Sequence, residues 1–112
     1  MSYDFDRATL KDVGTTAETI YTAPAGVATL CMALNLANTT SAAVKVTVIL
    51  HDAATSEDVD LLRDVGIPVS SALPAFGRQK HILKDGDYIT IQSDTPDSID
   101  ALMSFIEDIN SI

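Results

Sequence analysis

The sequence contains no tryptophan, and it holds three tyrosines, three phenylalanines and one cysteine among 112 residues. Its core must therefore be aliphatic, built from Val, Ile, Leu, Met and Ala. The aromatic platforms on which sugars and bases stack are scarce. One cysteine excludes an internal disulfide. Cys31 lies in an apolar segment with no basic neighbour to lower its pKa, so it reads as a small packed side chain and not as a nucleophile. Bases are few: seven Lys and Arg stand against 16 Asp and Glu, for a net charge of −9. A field of that sign repels phosphate backbones, and no Lys/Arg cluster offsets it, which argues against direct nucleic-acid binding. Acidity favours solubility and suits a basic protein partner. No apolar run approaches the ~20 residues of a membrane span, so no membrane partner is expected. The opening MSYDFDRATLKDVG is polar and carries acids, unlike a signal peptide. Folding in a reducing cytosol fits the single thiol.

Motifs that carry chemistry are missing too. There is no G-x-S-x-G, no GxGxxG and no phosphate loop. His51 and His81 stand at strand ends, with a spacing that matches no metal-ligand motif. Asp85, Asp87, Asp94, Asp97 and Asp100 crowd two neighbouring turns. Oxygen-rich loops can hold Ca²⁺, but the twelve-residue EF-hand pattern is absent, and solvated turns are the plainer reading. No catalytic residue, metal or cofactor is assigned, and the chain is not expected to be an enzyme.

What is present is a series of short β-prone segments punctuated by turns. Residues 1–14 show no period and read as an irregular N-terminal arm whose Tyr3, Phe5 and Leu10 are candidates to dock on a neighbour. Residues 15–112 read as a single domain, the size that supports one modest core. Ala17 to Thr22 is a short β-prone segment carried by Thr19, Ile20, Tyr21 and Thr22, followed by a turn in which Pro24 fixes φ and Gly26 permits positive φ. A longer strand then alternates. Leu30, Met32, Leu34 and Leu36 share one face, and Thr29, Cys31, Ala33, Asn35 and Ala37 share the other. That second face is small enough for another sheet, or another subunit, to pack closely against it. After the Asn38-Thr39-Thr40 turn, Val44, Val46, Val48 and Leu50 point inward from the next strand.

Short strands near 59–62 and 67–70 follow, with Pro68 marking an edge position because proline cannot donate to a ladder. Pro68 and Phe76, in irregular surroundings, join the candidate contact residues. Strands 81–83 and 88–92 flank Asp85-Gly86, a tight-turn dipeptide that reads as a hairpin. Residues 97–109 fit both periods. Ile99, Leu102, Met103, Ile106 and Ile109 make a helical stripe, while Ile99, Ala101, Met103 and Phe105 make a strand face. With turn signals separating six to eight short strands and no βαβ spacing, the fold class is all-β, an antiparallel sandwich or jelly roll.

The run Ile20-Tyr21-Thr22-Ala23-Pro24-Ala25-Gly26, the strand closing in Asn38-Thr39-Thr40, Ile67-Pro68, and Leu83-Lys84-Asp85-Gly86-Asp87-Tyr88-Ile89-Thr90-Ile91 together resemble a pattern in small tailed-bacteriophage virion proteins. The resemblance covers roughly residues 15 to 107. It implies a small β-sandwich that assembles into phage particles in the bacterial cytoplasm, with capsid, neck or tail proteins and further copies of itself as partners. It adds weight to the strand reading of residues 97–109, which we adopt. The expected role is capsid decoration (cement). A neck, tail-completion or fibre-attachment protein is the alternative, and a free sugar- or ligand-binding module comes third.

Overall fold

A computed structural model describes residues 4–77 and 79–107. They form nine strands: β1 (Asp4–Val13), β2 (Glu18–Thr22), β3 (Thr29–Asn38), β4 (Val44–Asp52), β5 (Glu57–Ile67), β6 (Ala72–Pro74), β7 (His81–Leu83), β8 (Tyr88–Ser93) and β9 (Ile99–Glu107). Among the described residues no helix is long and apolar enough to cross a membrane. Two antiparallel sheets result. Sheet I runs β1-β9-β3, with β6 and β7 both paired to the far side of β3, and sheet II runs β2-β8-β4-β5. β7 takes Thr29–Cys31 and β6 takes Asn35–Ala37, so the two fill one strand position in halves. Counted that way, each sheet has four positions that interleave early and late segments of the chain. That is the jelly-roll arrangement of an antiparallel sandwich.

Alternation builds the core. Val44, Val46 and Val48 from β4, Ile89 and Ile91 from β8, and Ile99, Ala101, Met103 and Phe105 from β9 are buried between the layers. Strand 99–107 confirms the period-two reading. A helix would have buried Leu102, which is instead 40% exposed.

Four expectations change. Residues 4–13 are no irregular arm. They form β1, an integral strand of sheet I in register with β9 from Asp4↔Glu107 to Leu10↔Ala101. The two strand–turn–strand units expected at 19–40 and 81–92 are crossovers and not hairpins: β2 and β8 lie in sheet II, β3 and β7 in sheet I. The separate strands near 59–62 and 67–70 are replaced by one long β5 at the edge of sheet II, with Pro68 in the turn that follows. Gly66 pairs within it opposite Lys45, and its register shifts near Asp64, which sits at φ 51°. Finally, β3 does not keep one bulky face. Its register with β9 shifts between Cys31 and Ala33, a bulge at Met32. One extra residue moves every side chain on one flank to the opposite face. Thr29 and Cys31 therefore point inward with Leu34 and Leu36, while Leu30 points out.

The two crossover turns grip each other. The Ala23 N–H donates to the Asp87 carbonyl (2.8 Å) and the Gly86 N–H to the Ala23 carbonyl (3.0 Å). The Gly26 N–H donates to Asp85 Oδ1 (2.8 Å). Asp87, largely buried, accepts from the N–H groups of Ala53 and Lys84, both at 2.9 Å. Pro24, Gly26, Asp85 and Gly86, read from the sequence as two independent turns, thus form one clamp. Gly26 and Gly86 both have positive φ, +75° and +83°, but a Cβ on Gly86 would sit 3.1 Å from Ala53 Cβ, while one on Gly26 would meet nothing within 4 Å. Gly26→Ala should cost about 1 kcal/mol and Gly86→Ala about 2 kcal/mol, from left-handed backbone strain plus that contact. Urea denaturation of both variants measures the difference.

At the other end, Asn38 ties two turns together, the one after β3 and the one after β5. Its Nδ2 donates to the carbonyls of Ala42 (2.8 Å), Ile67 (3.1 Å) and Pro68 (3.2 Å). Its Oδ1 accepts from the Thr40 N–H (2.9 Å) and hydroxyl (2.8 Å).

Candidate assembly interface

The groups with reactive potential are committed to structure. Cys31 is fully buried, and desolvation pushes its thiol up to about 12. Iodoacetamide should leave it unmodified in the native state and alkylate it on unfolding, which mass spectrometry detects. The Tyr21 hydroxyl donates to the Glu107 carboxylate and lies 2.9 Å from Thr29 Oγ1. Its one proton is thereby used, so the Thr29 hydroxyl donates to Tyr21. Burial, and then the Glu107 bond, hold the phenol far above its ordinary range. The Tyr21 ring packs on Phe105, 4.3 Å between centroids, linking the sheets.

His51 Nδ1 lies 2.7 Å from Asp58 Oδ1, and its Nε2 lies 2.8 Å from Thr90 Oγ1. Asp, His and hydroxyl in that order make up a nucleophilic triad. Here, though, Thr90 is 8% exposed and lies mid-strand in β8, beside the His51–Tyr88 stack at 4.3 Å. The three groups fasten β4, β5 and β8. His81 meets Phe76 edge-on at 4.6 Å. Two of the clustered aspartates bind backbone: Asp94, in the turn after β8, accepts through Oδ1 from the Lys45 N–H at 3.1 Å, and Asp100, in β9, through Oδ1 from the Asp12 N–H at 3.0 Å. The Lys45 N–H, and then the Thr95 hydroxyl, hold the Asp94 carboxyl below its ordinary range. No group of three or more metal-ligating side chains occurs among the described residues.

The feature that stands out is a surface. Cross-strand register places Phe5, Ile106, Leu30 and Ile82 side by side, on β1, β9, β3 and β7. They form an apolar row across the whole width of sheet I on its outer face. Phe5 is 71% exposed and Ile82 49%. The bulge at Met32 creates this row, since without it Leu30 would point inward. Farther along the same face, Ala33, Asn35 and Ala37 of β3 lie beside Ser104, Leu102 and Asp100 of β9. Two open depressions mark the face. One of about 630 Å³ is lined by Phe5, Asp6, Arg7, Met32, Ser104 and Phe105. The other, of about 360 Å³, is lined partly by Asn35, Ala37 and Leu102. The small-residue flank expected from β3 is therefore real in its C-terminal half, and no element of the described chain covers it.

The candidate contact residues divide. Phe5 belongs to the apolar row. Pro68 is exposed beside Val69, at the opposite end of β3 from Phe5. Leu10 packs partly buried against the core, and Phe76 is 5% exposed within it, so both serve the domain's own interior. Tyr3 lies outside the described residues. Leu30, Ile82, Leu102 and Ile106 were missed. The register that aligns the first two with Phe5 is set by pairing between distant segments.

The fold and this face define a jelly-roll module whose notable surface is an uncovered sheet. No protein-family model and no curated protein matches the sequence. Among solved structures, a protein of the Bacillus endospore appendages, a family of disulfide-linked pili, is similar over 96% of this chain and 88% of that one, at 13% identity and a TM-score of 0.54. The Drosophila NLP-core, whose structure concerns pentamer formation and histone binding, is similar over 93% and 95%, at 10% identity and a TM-score of 0.51. A capsid chain of Helicobacter pylori bacteriophage KHP30 covers 96% and 87%, at 9% identity and a TM-score of 0.49, and adds nothing to the assignment. Likeness at these identities shows the sandwich fold alone.

Proposed function

We propose that the chain is a non-enzymatic structural subunit of a tailed-bacteriophage particle, and specifically a capsid decoration protein that stabilises the head. The observation that carries this reading is the apolar row across the outer face of sheet I. A domain this acidic keeps that row in water at a solvation cost, and large exposed apolar patches mark contact surfaces. The polar groups that resemble chemistry are tied into strand pairing and turn caps, which leaves assembly as the work the surface can do. The resemblance of its turn motifs to those of small phage virion proteins supports the setting. The clamp between the Pro24–Gly26 and Asp85–Gly86 turns gives a physical reason for two of those motifs to occur together.

Decoration is tested on particles of the phage that encodes the chain. Heads assembled without it should release DNA at lower temperature than wild-type heads, and adding the purified chain should restore them. Heads of unchanged stability would refute the decoration role. A tail-less or fibre-less particle would instead mark a neck or tail component.

A further inference from the structure

We infer that Asp6 closes the free edge of β1 to strand addition, so that a second copy of this chain cannot continue sheet I past that strand. Strand addition needs a regular run of unpaired backbone groups. Most edges of this sandwich offer none. β5, at one end of sheet II, carries two register shifts, with Asp64 at φ 51°. β2, at the other end, has five residues and shifts register between Thr19 and Tyr21. The far side of β3 in sheet I is divided between β6 and β7, three residues each. β1 is the exception. Its register with β9 runs from Asp4 to Leu10 without a shift, and no strand among the described residues pairs with its other side.

Asp6 sits within that run, and two independent observations set it against a partner. The first is parity. Asp6, Ala8 and Leu10 lie opposite Phe105, Met103 and Ala101, all three buried. Ala8 and Leu10 accordingly pack on the core. Asp6 therefore holds an inward position, and it stays exposed only because β1 is an edge. A further strand alongside would cover its carboxylate, and taking a carboxylate out of water is costly. The second is a hydrogen bond. Asp6 Oδ1 accepts from the Arg7 N–H at 2.8 Å. A main-chain donor held by the adjacent side chain is one that the ladder to β9 leaves free. Strand N–H groups alternate between the two sides, so the Phe5, Arg7 and Thr9 N–H groups point to the open edge. The carboxylate thus occupies the place that an incoming strand's carbonyl would take.

Sedimentation velocity on the full chain tests this, comparing wild type with Asp6→Ala over a wide range of concentration. Asp6→Ala should form species that grow with concentration where wild type keeps one sedimentation coefficient, and its circular-dichroism spectrum should be unchanged. Thr9→Pro added to Asp6→Ala should restore the wild-type coefficient, because it removes a donor from the open edge and none from the ladder to β9. Asp6→Thr, which keeps strand propensity, replaces Asp6→Ala if the latter loses its β spectrum. Amide hydrogen exchange on wild type reads the contact directly: the Arg7 N–H should exchange more slowly than those of Phe5 and Thr9. An Asp6→Ala chain that sediments as wild type at every concentration would overturn the inference. So would association that Thr9→Pro leaves in place, a wild-type oligomer that Thr9→Pro disperses, or an Arg7 amide no slower than its two neighbours. None of these outcomes depends on the virion reading.

Discussion

A chain lacking residues 1–10 is expected to lose its cooperative unfolding transition and to aggregate. An arm could be removed at little cost to the fold. β1 cannot, because it covers one edge of β9 with backbone pairing from Asp4 to Leu10, and Ala8 and Leu10 pack on the core. Without it, β9 becomes an exposed edge flanked by the apolar row, a ready template for pairing between chains. The lost burial and hydrogen bonding compare with the whole stability of a domain this size, about 5–15 kcal/mol. Leu10→Ala, which keeps the strand, should cost about 2 kcal/mol at this partly buried site. Thermal scans by circular dichroism distinguish the two readings. A truncated chain melting like wild type would return residues 1–10 to the status of an arm.

Asn38→Leu is expected to cost about 3 kcal/mol and to lower Tm by roughly 10 °C or more. The size of the side chain is nearly kept, and what is lost is the hydrogen bonding. The carbonyls of Ala42, Ile67 and Pro68 and the N–H of Thr40 all lose the Asn38 side chain together, in a site where Asn38 is 4% exposed, although Pro68 keeps the Ser71 N–H and Ala42 the Thr40 hydroxyl. Asn38→Asp should add a pH dependence of defined sign. A carboxylate there would face three carbonyl oxygens, which raises its pKa above the unfolded value of about 3.9. The folded state then binds the extra proton, so stability is greatest below that value and falls as pH rises through the folded pKa. Denaturant melts of this variant between acid and neutral pH check it, and a variant more stable at neutral pH would contradict the geometry.

Much of the sandwich was legible because period two is a local signal. Val44, Val46 and Val48, or Ile89 and Ile91, announce their buried face within one strand. The errors arose where local pattern and distant pairing part. Leu30 and Met32 share parity with Leu34, and nothing within β3 indicates that pairing with β9 inserts a bulge between them. Ala23–Gly26 and Lys84–Asp87 are good turns by composition, but composition does not say whether the chain returns in the same sheet or crosses to the other. Residues 4–13 looked irregular because β1 is an edge strand with a bulge near Asp12, which sits at φ 57° and interrupts its alternation. The interface was least legible, since its apolar row is assembled from four strands and exists only in their register.

The central claim is that this chain is a part of a particle. The most direct measurement is its copy number in purified particles of the encoding phage, by quantitative mass spectrometry against the major capsid protein. The account predicts a stoichiometry comparable to that of the capsid protein, retained through density-gradient purification. A particle from which the chain is missing would contradict it.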